Sequence, residues 1–149
     1  MENLFDPSCS RQIFDRIASL VHTDRPQWGK FDSPGMLAHC QAPLRVASGE
    51  LRLPRTLVGR LFGKLAKRSL TGTQPFRKNM PTDPRFLTRT PRPFDVEKNE
   101  LLVLVQRFVA SGPEGLSKDP HPFFGTLSDE EWGLLMGKHL DHHLRQFGR

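Results

Sequence analysis

The chain has 149 residues, a length typical of one domain. Its 36% hydrophobic content, with 11 Phe and 2 Trp, predicts a folded globule and excludes an intrinsically disordered chain. No apolar run approaches the roughly 20 residues that cross a bilayer. The start, MENLFDPS, lacks the pattern of a secretory signal, and two cysteines do not form a disulfide framework. We therefore expect a single cytoplasmic domain over residues 1–149.

Positive charge is concentrated in the middle of the chain. The net charge is +6, but residues 51–92 carry eleven of the 22 Lys and Arg and a single acid, Asp83. That segment therefore has a local charge of +10, and the remainder of the chain sums to −4. Such asymmetry is typical of a nucleic-acid or membrane surface, or of a rim that attracts small anions.

Two amphipathic helices are predicted in the first third of the chain. The first runs from about Pro7 to His22, because Asp6 can cap it and proline suits the first helical position. The second opens at Ser33-Pro34 with the same pair of signals and continues through GMLAHCQAPLRVASGE.

A basic segment follows, residues 51–93, which we call the crossover segment. Its LPRTLVGRLFGKLAKR stretch predicts a short basic amphipathic helix, although Gly59 and Gly63 weaken it by roughly 1 kcal/mol each relative to alanine. Apolar residues recur there at helical spacing: Val58, Leu61, Phe62 and Leu65. Five prolines interrupt residues 69–93, and aperiodic connections of this length are usually lids, binding loops or linkers.

Two further helices complete the pattern. The third is predicted at about Asp95 to Ala110. The fourth begins at the capping box from Ser128 to Glu131 and ends near Gly148. Four substantial amphipathic helices without a strand pattern predict an all-α four-helix bundle. The long crossover segment between helices two and three favours an up-down-down-up order.

Residues 138–148 read KHLDHHLRQFG and contain three histidines. On a helical wheel at about 100° per residue, His139 and His143 fall within the apolar arc, and His142 falls at its edge. Lys138 and Asp141 fall on the opposite, polar arc. Two imidazoles stacked at i and i+4 and facing a bundle interior are the arrangement with which histidine pairs chelate one ion.

A third histidine could complete a metal site. His39 shares a face of helix two with Met36 and Val46 and is predicted to look inward. Single inward histidines are more often hydrogen-bonded core residues, but three on facing helices favour a metal site holding Zn or Ni, with Fe or Co as alternatives. Gln146 is a candidate partner of a ligand imidazole, and His142 a surface residue or a second such partner.

The motifs MLAHCQ, PFRKN, HPFFGTLSDEEW and KHLDHHLRQFG together resemble the DinB/YfiT-like superfamily of metalloenzymes. More narrowly, they look like its small bacterial branch known only as a domain of unknown function. The resemblance implies a four-helix bundle with a divalent metal on His39, His139 and His143, and a homodimer. It also implies metal-dependent transfer or isomerisation with low-molecular-weight thiols such as bacillithiol or mycothiol. The chain has Leu144 and Arg145 where many members have Arg-Gly, so roles of that arginine do not carry over.

The function that follows is a metal-dependent enzyme, a thiol transferase or hydrolase acting on small molecules. Arg77 and Lys78 could orient a substrate carboxylate, although a solvated basic loop is the slightly favoured reading of that pair. No carboxylate shares the histidine face, so catalytic residues beyond the metal ligands are not assigned. The alternative is a non-catalytic metal-binding or sensing protein. Nucleic-acid or membrane-surface binding through residues 51–92 ranks last, because the segment has no recognised nucleic-acid motif.

Overall fold

The computed structural model describes residues 3–72, 74–88 and 90–149, and these ranges are all-helical, with five α-helices and no β-strand. No helix within them is both long enough and apolar enough to cross a membrane. The α-helices are α1 (Pro7–Ser19), α2 (Ser33–Ala47), α3 (Leu57–Thr71), α4 (Phe94–Ser111) and α5 (Asp129–Gln146). Short 3-10 turns lie at Pro84–Phe86 and Pro113–Gly115.

Side-chain caps start the helices, as predicted for α1 and α5, but the cap of α2 is Asp32 and not the predicted Ser33. The Asp6 carboxylate accepts the backbone N–H groups of Ser8 and Cys9, and Asp32 accepts that of Gly35 at the start of α2. Ser128 and Glu131 form the predicted capping box of α5. The end of α1 differs from the prediction: the helix stops at Ser19 because Leu20 takes an extended conformation. Side-chain acceptors at these positions satisfy amide groups that have no partner inside the helix.

Four helices enclose the main hydrophobic core. α2 packs against α4 and α5, and α1 packs against the same two helices. Most of the large fully buried apolar side chains lie on these four helices: Ile17, Met36, Leu37, Leu101, Trp132, Leu134, Met136, Leu140 and Leu144. α2 and α5 are therefore held side by side, which places His39 beside the histidines of α5.

α3 is a full helix inside the crossover segment and packs against α5. The sequence predicted a short basic helix here in addition to four substantial helices; α3 has 15 residues and is the fifth α-helix of the described ranges. The same segment also contains the 3-10 turn Pro84–Phe86, which packs against α2. Two of its residues, Thr73 and Arg89, lie outside the described ranges.

The polar arc predicted for α5 is not exposed throughout. Lys138 is buried, and its ammonium donates hydrogen bonds to the carbonyls of Ser69, at 2.8 Å, and Gly72, at the end of α3. Asp141 is also buried and forms an ion pair of 2.9 Å with Arg16 of α1. Both charges have partners because α1 and α3 cover this side of α5. A buried charge is tolerated when it is paired in this way.

Candidate metal centre

Three histidines meet between α2 and α5. His39 projects from α2, and His139 and His143 project from successive turns of α5. One ring nitrogen of each lies within 4.8 Å of the others, and the Nε2 atoms of His39 and His139 are 3.1 Å apart. The three ring centroids are 4.8–5.0 Å apart. These are the three residues that the helical wheel and the family resemblance single out.

A backbone carbonyl fixes the tautomer of His39. The Nδ1 atom of His39 lies 3.0 Å from the carbonyl oxygen of Phe86, in the 3-10 turn of the crossover segment. A carbonyl only accepts hydrogen bonds, so Nδ1 carries the proton and donates it. The lone pair is then on Nε2, which faces His139. Metal-ligating histidines are commonly oriented by a bond of this kind.

A side-chain amide orients His143 in the same manner. Nδ1 of His143 lies 2.8 Å from Oε1 of Gln146, and Nε2 of Gln146 donates to the carbonyl of Trp28 at 2.7 Å. The Trp28 carbonyl sets the direction of the amide, because only the NH₂ end can donate to it. Oε1 therefore accepts the proton on Nδ1 of His143, and Nε2 of His143 keeps its lone pair. Gln146 occupies the position expected of a ligand's partner.

The histidines are surrounded by apolar and aromatic groups. Phe31 stacks on His39 with a centroid distance of 5.0 Å and meets His143 edge-on at 5.7 Å. Burial lowers the pKa of His143 to about 3, with a smaller contribution from the neighbouring His39. Burial also lowers the pKa of His39 and brings that of His139 well below its ordinary value. At neutral pH all three imidazoles are therefore uncharged, the form in which histidine binds metals.

The donor set could hold a single transition-metal ion. Zn–N bonds of about 2.0–2.1 Å at tetrahedral angles separate two ligand nitrogens by about 3.4 Å, close to the 3.1 Å between His39 and His139. Among the described residues no further His, Cys, Asp or Glu joins the three. His39 and His143 are buried, and His139 is partly exposed. The three histidines could thus bind a metal ion and leave one coordination position open.

The remaining residues predicted for the site lie outside the cluster. His142 is partly buried, and its ring packs against Trp28 and Phe76, with centroid distances of 5.9 and 6.4 Å. Arg77 and Lys78 are exposed, and the Lys78 ammonium lies 4.1 Å from the centroid of the Trp28 ring. Anion binding by this pair stays a prediction.

His121 takes a role in a turn. Its Nδ1 accepts the backbone N–H groups of Phe123 at 3.0 Å and Phe124 at 3.2 Å, and its ring packs against Trp132. Burial lowers its pKa to about 4, outweighing the attraction of the Asp83 carboxylate. The imidazole therefore acts as a neutral acceptor that holds the turn before α5.

Sequence reasoning missed the contributions of Phe86 and Phe31. The Phe86 group that contacts His39 is a backbone carbonyl, which every residue carries, so no side-chain pattern identifies it. Phe31 precedes α2 in a turn, where the hydrophobic period of a helix gives no information.

The fold and this cluster together define an all-helical protein whose three adjacent histidines could bind a metal ion. The chain belongs to a family of proteins of unknown function, DUF1569, whose model matches residues 10–149. The predicted domain of unknown function is thereby confirmed, and the matched range contains all three histidines. Neither a curated protein nor a solved structure matches the chain.

Proposed function

We propose that His39, His139 and His143 bind one divalent metal ion and that the chain is a metal-dependent enzyme acting on small molecules. The observation that carries the proposal is the convergence of three neutral imidazoles without a fourth protein ligand among the described residues. Catalytic sites typically use three protein ligands and keep a position open, whereas structural zinc sites are closed by four.

Each ligand has a defined task in this proposal. His39 and His143 present Nε2 because Phe86 and Gln146 hold their Nδ1 protons. His139, which is partly exposed, completes the set. Zn or Ni suits this donor set first, and Fe or Co are alternatives. When bound, such an ion supplies a nucleophile at neutral pH, by lowering the pKa of a water molecule or by holding a thiol as thiolate.

The substrates we propose are small molecules used together with a low-molecular-weight thiol or with water. No Asp or Glu of the described chain joins the histidines, so the protein offers no carboxylate base at this position. A metal-bound thiolate and a metal-bound hydroxide would both react without such a base, so either a thiol or water can serve as the co-substrate. Arg77 and Lys78 are the proposed contacts for a substrate carboxylate.

The second candidate is a non-catalytic metal-binding or sensing protein. It is favoured by the contact of the crossover segment with a ligand, since the Phe86 carbonyl bonds to His39. A covered site holds metal without exchanging substrates. Turnover by metal-loaded protein with a panel of low-molecular-weight thiols and electrophiles would support the enzyme, and metal bound without turnover would support the sensor.

We further propose that the whole chain is one domain of the DinB/YfiT-like superfamily, with an up-down-down-up four-helix bundle formed by α1, α2, α4 and α5. The pairwise packing of these four helices supports the proposal, as does the spacing of the three histidines over two helices. A homodimer and a cytoplasmic location stay predictions.

Metal analysis of the purified chain tests the site. We expect about one divalent ion per chain in the wild type and loss of that ion in His139→Ala and His143→Ala. His142→Ala is the matched control, because the His142 ring lies on the same helix and contacts His143 at a centroid distance of 5.0 Å but is not one of the three histidines whose ring nitrogens converge.

The proposal fails if the wild type carries no stoichiometric metal after incubation with Zn and Ni, or if both ligand variants retain it. Loss of metal from His142→Ala alone would likewise contradict the assigned ligands. Circular dichroism of each variant separates loss of a ligand from loss of the fold.

A further inference from the structure

An apolar row runs along the outer face of α3. Every side chain of the row is more than half exposed, and Leu57 and Leu61 reach 77% and 76%. Soluble monomers rarely expose a continuous patch of large apolar side chains unless it contacts a partner or a membrane. The row consists of Leu57, Val58, Leu61, Phe62 and Leu65.

The opposite face of α3 fixes this orientation. Gly59 and Gly63 lie against the backbone of Phe123, and a Cβ atom at Gly59 would come within 2.6 Å of the Phe123 carbonyl oxygen. Lys67 donates to the Thr126 carbonyl and pairs with Glu131, both at 2.8 Å. Because glycine is needed for this close approach, the helix cannot rotate its apolar row inward without a clash.

The edge of the row is basic. Arg60, Lys64 and Arg68 are exposed and make no ion pair within the described part of the chain. Residues 51–82 contain no Asp or Glu. The surface of α3 thus combines exposed apolar side chains with uncompensated positive charge.

The positive charge on α3 distinguishes between two possible partners of the apolar row, a second copy of the chain and an anionic lipid surface. A symmetric dimer through α3 would bring two rows of lysine and arginine together without an acid in either segment to neutralise them. An anionic lipid surface provides the opposite charge and also receives the apolar side chains. Helices that lie in the interface of a bilayer have this composition, with Lys and Arg on the polar side and Leu and Phe on the other.

We propose that α3 docks the protein on anionic lipid bilayers, lying parallel to the membrane with Leu57, Leu61, Phe62 and Leu65 inserted between headgroups. With 15 residues, the helix is about 22 Å long, so it lies on the bilayer and does not span it. The sequence alone ranks binding through this segment last because it contains no recognised nucleic-acid motif, and the outward orientation of the apolar row is what favours a membrane surface. The proposal does not depend on metal binding.

Vesicle co-sedimentation tests the proposal with the full chain. The vesicles contain phosphatidylcholine with or without phosphatidylglycerol. We expect binding to the phosphatidylglycerol vesicles only, and weaker binding as salt is raised. Leu61→Ser combined with Phe62→Ser should lower the partition coefficient at least about tenfold. Lys64→Glu should lower it as well and remove part of the salt dependence.

Val103→Ser is the matched control, because Val103 is an exposed apolar residue on α4, at 48% exposure, and should bind as the wild type does. Absence of binding to phosphatidylglycerol vesicles overturns the proposal, as does equal binding by the double variant and the control. A dimer that the double variant abolishes, without vesicle binding, would assign the row to a second copy. A salt-sensitive gel shift without vesicle binding would assign it to nucleic acid.

Discussion

The side-chain oxygen of Gln146 lies 2.8 Å from Nδ1 of His143, one turn earlier in α5. This bond selects the nitrogen that His143 presents to its neighbours. Removing such a partner from a ligand typically lowers metal affinity 10–100-fold. We therefore predict that Gln146→Leu binds Zn about 10–100 times more weakly than the wild type, measured by competition with a chromophoric chelator.

Two variants make this measurement specific. Gln146→Glu keeps an oxygen that accepts the Nδ1 proton but loses the N–H that donates to the Trp28 carbonyl, so its affinity should lie between those of Gln146→Leu and the wild type. Gln106→Leu changes an exposed glutamine on α4 and should have no effect. If Gln146→Leu binds as tightly as Gln106→Leu does, the bond to Gln146 does not orient a ligand.

Lys138 holds the end of α3 on α5 by donating to the Ser69 and Gly72 carbonyls. We predict that Lys138→Met lowers the free energy of unfolding by about 2 kcal/mol, because it keeps the aliphatic stem but leaves carbonyls without a charged donor. Urea unfolding measures the change, and Lys118→Met, at an exposed position, is the control. Equal midpoints for the two variants would contradict the prediction.

His121 should make stability depend on pH. Burial lowers its pKa to about 4 in the folded state, whereas the unfolded value is about 6.5. The contribution of neutral His121 to the free energy of unfolding is therefore complete above about pH 6.5. It decreases as the pH falls towards 4, because the unfolded chain binds the proton more readily than the folded chain does. The difference corresponds to at most about 3 kcal/mol.

The variant that isolates this effect is His121→Asn, whose side-chain oxygen can accept the same backbone N–H groups but does not titrate. Between pH 7 and pH 4, the metal-free wild type should lose more unfolding free energy than His121→Asn does. Urea unfolding at a series of pH values gives both curves. Parallel curves would show that His121 does not titrate as its burial implies. The other histidines are present in both proteins, so their titration does not affect the comparison.

The sequence predicted which way the three histidines face, because helical spacing alone determines the direction of their side chains. His39, His139 and His143 were assigned from their helical faces, and the structure brings them together. Burial of Lys138 and Asp141 could not be predicted in this way. It depends on α3 and α1 covering an arc that a single-helix pattern marks as polar.

The crossover segment was the hardest part of the fold to predict, because residues 69–93 lack the hydrophobic periodicity from which secondary structure is inferred. Its helix was expected from the apolar spacing, but the side that faces the protein is set by the backbone of Phe123 against Gly59 and Gly63. Such a contact joins residues about sixty positions apart and leaves no local pattern in the chain.

The bond from His39 to the Phe86 carbonyl links the crossover segment to the histidines thermodynamically. Of the two neutral tautomers of His39, only the one with its proton on Nδ1 can make this bond, and only that one presents Nε2 as a ligand. Displacing the turn at Pro84–Phe86 would remove the preference of His39 for this tautomer and allow the proton to move from Nδ1 to Nε2. By reciprocity, a ligand that draws on Nε2 also stabilises the turn. A ligand at Nε2 of His39 and the contact of this turn with Nδ1 should therefore stabilise each other.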